Sequence, residues 1–460
     1  MAYLVKQQHL VAPVTAPIDA DHSLPRVCVI GAGSSGLAAV KNLYTKRIPF
    51  DCFEQGTEIG GNWLFDNPNG VSACYDTLEI NTSCKRMAFS DFPMPKSYPA
   101  YASHDQVHDY FEAYAKHFGF RDQITFNTRV QSVRPDPAGG WLVTVTRLNA
   151  DSKKQQTHHY DAVIVANGHH WSPRLPEPDY PGQTDGTFQG EQIHAHDYRT
   201  GDVLDGKHVV VVGAGNSAMD IAVEASKRAK SVALSIRRGQ WVMKKLLAGI
   251  PFDQIALPGW MPWWATRLRL RVGAILSGGL QKYGLPRPPH APGESHPVQS
   301  ETIRKQLAKG LITVNPGIKR LEEDRVIFTD GTTALADLVV WATGYEVNFP
   351  FLEEDIVDIK NNSLPLWHRM ILPERPGLFF VGLLQPVGAV MPLAEAQSEW
   401  ITDLLLGELT LPDKETMRRE MHIQDRRFKK RFYASPRHTM EVDFDGFLWD
   451  LKKERKRRRS

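Results

Sequence analysis

Cysteine is scarce in this chain: four in 460 residues (Cys28, Cys52, Cys74 and Cys84), with no Cys-x-x-Cys and no close pair. That excludes a disulfide-stapled scaffold and argues against a structural zinc site or a redox dithiol. Cys28 and Cys52 fall inside apolar strand patterns, so burial and a reducing, cytoplasmic setting are expected. No apolar run reaches the roughly 18 residues of a spanning helix. The nearest candidate, residues 377–396, is broken by Gln385, Pro386 and Pro392. The N-terminus has one early base, Lys6, then Pro13 and Pro17, and no apolar signal core. No pair of histidine and carboxylate is read as a metal site, adjacent His169 and His170 cannot share a helix face, and no metal is expected. Net charge is also small, 55 Lys+Arg against 52 Asp+Glu. Its distribution is uneven: residues 426–431 read RRFKKR and residues 452–459 read KKERKRRR, which leaves the remainder acidic.

What is present is globular, with 42% hydrophobic and 23% charged residues on a chain long enough for several domains. A β-rich run, residues 26–30, leads into Gly31-Ala32-Gly33-Ser34-Ser35-Gly36, a helical stretch and a second strand ending at Glu54. The same β-turn-α-β order returns 182 residues later, with Gly213-Ala-Gly215-Asn216-Ser217-Ala218 as its turn. Such duplication predicts an α/β fold with two Rossmann-like dinucleotide-binding domains. Residues 103–118 read as an amphipathic helix capped by Ser103. Residues 326–328 and 338–341 read as strands that resume the βαβ alternation. The expected division is an N-terminal arm over residues 1–24 and a first domain from residues 25–175 and 345–450. The second domain, residues 176–344, is inserted in the first and carries its own insertion at about 240–300. A basic tail follows, residues 451–460.

The glycines carry a mechanism. Gly31 permits the tight turn, Gly33 lets backbone approach a pyrophosphate, and Gly36 lets helix and strand pack. Glu54 stands where an acid binds ribose hydroxyls. The second turn is followed by Arg237 and Arg238 instead of an acid, which suits a 2′-phosphate. Two dinucleotides are therefore expected, FAD on the first unit and NADPH on the second, with hydride passing from nicotinamide to flavin.

Further motifs resemble those of flavin-containing monooxygenases. Gly60-Gly61-Asn62-Trp63 is similar to their G-G-x-W. Phe188-x-Gly190-x-x-x-His194-x-x-x-Tyr198 matches their fingerprint. Residues 75–95, Ala342-Thr343-Gly344-Tyr345 and residues 382–392 (with Gln385) resemble further family segments, so the likeness runs in order through residues 25–405. It implies that NADPH reduces FAD, that O2 adds at flavin carbon 4a, and that the hydroperoxide oxygenates a small soft nucleophile, an amine or a thioether. Tyr198 at the end of the fingerprint argues against the ketone-oxidising Baeyer–Villiger branch. The resemblance places Asn81, followed by Thr82, beside flavin and nicotinamide ribose as the catalytic amide. It makes His194 an orienting residue rather than a base. Residues 166–168 read Ala-Asn-Gly where the family has Ala-Thr-Gly. A homodimer is expected, and no nucleic-acid partner.

Two segments lie outside these motifs. Trp260-Met-Pro-Trp263-Trp264, followed by Arg267, Arg269 and Arg271, reads first as a cap burying its rings and second as an interfacial membrane segment. The terminal base run reads as a solvated, disordered tail, or as one weakly attracted to anionic lipid.

Overall fold

The computed structural model describes residues 10–149, 154–255, 257–360, 362–433 and 439–459. Two five-stranded parallel sheets organise them. The first runs Leu378–Phe380, Ala162–Val165, Val27–Ile30, Phe50–Phe53, Ile124–Thr125. The second runs Thr313–Asn315, Ser231–Ser235, His208–Val212, Leu338–Trp341, Glu191–His194. The chain leaves the first sheet after Ala162–Val165, builds the second, and returns at Leu378–Phe380 to pair beside the strand it left.

Why the central strands are uninterrupted apolar runs follows from their surroundings. Val27 and Val29 face helix Ser34–Thr45 and its neighbours, whereas Cys28 and Ile30 face an antiparallel three-stranded sheet, Thr128–Pro135, Trp141–Arg147 and Gln155–Tyr160. In the second sheet Val209 and Val211 face helix Asn216–Arg228, and Val210 and Val212 face the meander Ile318–Glu322, Arg325–Phe328, Thr333–Leu335. A strand covered on both faces has no polar side to alternate with. Residues 326–328 are therefore a strand, but one of an antiparallel meander that covers the parallel sheet instead of extending it. All four cysteines are unpaired, and burial pushes the Cys28 and Cys52 thiols up.

The Ser103 helix forms as expected, over His104–His117, with a capping box in which Ser103 and Gln106 exchange hydrogen bonds. The described part of the N-terminal arm has no regular element. It crosses this helix and the first one, with Val14 N–H donating to His117 O at 2.9 Å and Ile18 N–H to Tyr44 Oη at 3.0 Å.

The basic C-terminus is not a loose tail. It belongs to a helix, Phe444–Arg458, that begins before the expected boundary at residue 451. Its arginines have acidic partners on the body: Arg455 meets Asp403 at 2.6 Å and also Glu399, Arg459 meets Asp403 at 3.0 Å, and Arg458 meets Glu420 at 3.4 Å. Asp403 is 1% exposed on its side chain. Burial alone would raise its carboxyl, but Arg455 and Arg459 hold it below the ordinary value of 3.8. A depressed carboxylate contributes stability above its unfolded value that is lost as pH falls. Arg455→Met should therefore cost about 1–3 kcal/mol at pH 7, because it leaves Asp403 to Arg459 alone and takes the arginine from Glu399. Urea unfolding at pH 7 and at pH 3.5 checks this, and the gap from wild type should narrow at the lower pH.

Candidate functional site

The two glycine turns open both parallel sheets at their carboxyl ends. Gly31 has φ 100°, and a side chain there would lie 2.7 Å from the Ala166 carbonyl oxygen, so only glycine fits. Gly36 packs directly on the Gly31 carbonyl, close enough to exclude a side chain. Helix Ser34–Thr45 has Gly33 as its N-cap, with no side-chain cap and no acid in its first turn. Helix Asn216–Arg228 starts the same way at Gly215. Both helices thus leave N-terminal N–H groups for an anion from outside the chain.

Glu54 ends the second strand and is buried. Its Oε2 accepts from Ala32 N–H at 2.7 Å and its Oε1 from Gly56 N–H at 2.6 Å. Burial raises its pKa against the pull of those bonds. Each oxygen keeps a lone pair for a ribose hydroxyl.

A cavity of about 810 Å³ joins the two turns. Gly31, Gly33, Ser34, Ser35, Glu54, Gly61, Asn62, Trp63, Asn81, Thr82 and Gln385 line it from the first unit, and Asn216 and Ser217 from the second. The backbones of Gly33 and Gly61 face each other so closely that a side chain on Gly61 would reach Gly33 Cα at 3.1 Å. That cradle, with two uncapped helix ends and a buried acid, fits a dinucleotide.

Other expected residues stand elsewhere. Ala32 contributes its N–H to Glu54. Gly213 (φ 147°) abuts the Ala342 carbonyl, and Ala218 is buried behind the second turn. Arg237 and Arg238 lie outside the cavity lining, exposed just beyond strand Ser231–Ser235, with no acidic partner among the described residues. The fingerprint residues are packing residues. Phe188 is buried, and any side chain on Gly190 would strike its ring and the Ala336 carbonyl. Tyr198 is fully buried, edge-on to Tyr75. His194 Nδ1 accepts from His196 N–H at 3.0 Å, and burial, then His196, lowers its pKa to about 4, so it is neutral at pH 7. Thr343 Oγ1 donates to the Arg174 carbonyl, and Gly344 takes φ 91°.

Sequence spacing did not indicate several contributors. Asn69 lines the cavity near Glu54 with a buried Nδ2 that has no hydrogen-bond partner among the described residues. Tyr75 also lines it and donates to Asp220 at 2.8 Å, tying the loop after Trp63 to helix Asn216–Arg228. Asp253, from the 240–300 insertion, accepts from Ser83 N–H at 2.7 Å and Ser83 Oγ at 2.8 Å, two residues from Asn81. An isolated acid 170 residues away in sequence carries no signal of that contact. Asp253→Ala should release the Asn81 loop, leave FAD bound, and raise peroxide formed per NADPH several-fold, while Asp253→Asn, which keeps an acceptor, should change it little. Peroxide and product assayed together check this.

Tertiary structure also gathers His368, Glu420 and Glu454, a group no sequence spacing shows. Both carboxylates already accept from Arg457 and Arg458.

The family model for flavin-binding monooxygenase-like proteins matches residues 25–456. Flavin-containing monooxygenase 5 of Rattus norvegicus is 36% identical over 444 residues, covering 91% of this chain and 80% of the relative. Among solved structures, S-allyl-L-cysteine S-oxygenase from Allium sativum superposes with a TM-score of 0.69 at 24% identity, covering 94% of this chain and 88% of the other. The closed form of cyclohexanone monooxygenase gives 0.70 at 17% identity, over 93% and 97%.

Proposed function

Because the chain belongs to the flavin-binding monooxygenase-like family, we propose that its cavity seats FAD on the first glycine turn and NADPH on the second, and that the substrate oxygenated there is a soft nitrogen or sulfur nucleophile. The protein is an FAD- and NADPH-dependent monooxygenase. The observation that carries the site assignment is one continuous cavity reaching both uncapped helix N-termini, with Asn81 on its wall.

FAD, held by the first glycine turn and Glu54, would supply the redox and oxygen-activating chemistry when bound. The chain's own residues bind and position. N–H groups at the starts of both helices hold phosphates, and Glu54 and Asn69 take the ribose end of the first dinucleotide. Arg237 and Arg238 pair with the 2′-phosphate of the second. Asn81 offers an amide, donor and acceptor together, to the reacting region. Trp63, Met87, Leu384 and Val390 give that region apolar walls that limit water.

A substrate panel tests the reading. NADPH consumption, product and peroxide are measured with a tertiary amine, a thioether and a cyclic ketone. Amine or thioether should yield product nearly equal to NADPH consumed, and the ketone mainly peroxide. Ketone turnover exceeding both would overturn the substrate class. Among the described residues, no helix is long and apolar enough to cross a membrane. The expected homodimer and the expected peripheral membrane contact are further proposals, tested by the mass of the holoenzyme in solution and by its flotation with vesicles.

A further inference from the structure

Helix His104–His117 buries Val107, Tyr110, Phe111 and Tyr114 on its inner face. His108 and Glu112 stand four residues apart on it, and so share a face. The loop that leads from Glu54 to Gly60 brings Glu58 against them. A ring nitrogen of His108 and one carboxylate oxygen each of Glu58 and Glu112 all lie within 4.8 Å of one another. His108 Nε2 is 3.7 Å from Glu58 Oε2, too far for a hydrogen bond. That nitrogen is shielded from solvent and has no hydrogen-bond partner among the described residues.

Surrounding contacts hold these ligands in place. The His108 ring is wedged against the backbone: a side chain on Gly60 (φ 130°) would meet its Cδ2 at 3.0 Å. Gly60 N–H in turn donates to Ala32 O at 3.1 Å, so the ring leans on the first glycine turn. Two of the three ligands sit on one helix with a capping box, which fixes their spacing before any ion arrives. Arg121 Nε donates to both oxygens of Glu112, at 3.3 and 3.1 Å, and orients that carboxylate as a second layer of contacts does around a metal. Each oxygen keeps a lone pair. Glu58 has no Lys or Arg partner among the described residues. In the group His368, Glu420 and Glu454, by contrast, arginines take both carboxylates.

We propose that Glu58, His108 and Glu112 form a binding site for a first-row transition dication, zinc foremost, with water completing its coordination. One imidazole and two carboxylates suit Zn2+, Ni2+ or Cu2+. Ca2+ needs more oxygen ligands than the trio offers, and Mg2+ gives up its water reluctantly. Zinc–ligand lengths of about 2.0–2.2 Å put tetrahedral ligands roughly 3.3–3.6 Å apart, so small rotations of the two glutamates close the site. Two carboxylates outnumber the one guanidinium beside them, which favours a cation. Glu58 is 51% exposed, and the ion enters from that side. None of the three residues lines the cavity, so the ion stands behind the dinucleotide cradle and ties its entering loop to the helix. The trio runs against the expectation of no metal, because Glu58 joins the helix pair only through tertiary packing.

Calorimetry of the holoenzyme with zinc chloride, and its melting temperature with and without the ion, test this. In the wild type the tightest zinc-binding event should be this site. His108→Leu and Glu58→Gln should each weaken it at least about tenfold, the scale on which even second-layer contacts act. Zinc should raise the melting temperature of the wild type and not that of His108→Leu, because only the folded chain joins loop to helix. Magnesium at the same concentration should do neither. With Cu2+ in place of zinc, electron paramagnetic resonance should show nitrogen coupling that His108→Leu loses. Unchanged FAD content and NADPH turnover in metal-free buffer would show that each variant is folded. Three results would overturn the proposal: no zinc binding by the wild type at millimolar concentration, binding that either variant retains in full, or magnesium stabilising the wild type as much as zinc does.

Discussion

Asn81→Ala is expected to retain FAD and to lose substrate oxygenation by about 10²–10³-fold, the scale of removing one well-placed polar contact from an active site. The loop bearing Asn81 is fixed on both sides. Ile80 N–H donates to Ala102 O at 3.0 Å and Cys84 N–H to Ala100 O at 2.9 Å, while Asp253 clamps Ser83. Truncating a side chain on so well-held a backbone removes an amide without moving its neighbours. FAD should remain, because the glycine cradle, Glu54 and Asn69 do not depend on that amide. NADPH should still be consumed, with its electrons appearing as peroxide instead of product. Asn81→Asp should be at least as damaging, since it removes the donor and adds a charge to a partly apolar cavity. The measurement is product per NADPH, alongside flavin absorbance of the purified variant. Wild-type coupling in either variant would remove Asn81 from the site.

The second large effect concerns the choice of nicotinamide. Arg237→Ala/Arg238→Ala should lower kcat/KM for NADPH by about 10²–10³-fold and leave that for NADH nearly unchanged. Each guanidinium–phosphate contact is worth about 1.5–3 kcal/mol, and only NADPH carries the phosphate. Both side chains begin where strand Ser231–Ser235 ends, beside the Gly213 turn, whose N–H donates to Ser235 O at 3.1 Å. Among the described residues neither is held by an acid, so both are available to an incoming anion. Steady-state kinetics with the two nucleotides decides it. An equal loss for both would mean general damage, and no loss for either would return the pair to ordinary surface charge.

Local features were readable along the chain wherever one residue's chemistry decides one backbone need. Gly31 and Gly213 announce turns because each takes a positive φ, 100° and 147°, that only glycine adopts easily. Ser103 announces its helix because its hydroxyl satisfies a first-turn N–H. The strand at residues 326–328 was readable as a strand, but not as part of a meander, because a covering sheet and a covered one are equally apolar. Asp253 and Asp220 were silent, since a lone acid reveals nothing about a partner in a distant segment. The tryptophan segment pointed two ways, because composition cannot say which side of a ring meets protein.

By itself, then, the sequence determined that two dinucleotide-binding units exist, which turns open them, and where Glu54 and the arginine pair stand on them. Those are short-range matters of sterics, helix ends and charge. Only the tertiary structure decided that one cavity joins the two turns and that Asp253 pins the Asn81 loop. It also decided that the basic C-terminus is a docked helix and that Trp260 and Trp264 face outward. Each of these depends on contacts between segments tens to hundreds of residues apart, set by packing that no local pattern encodes.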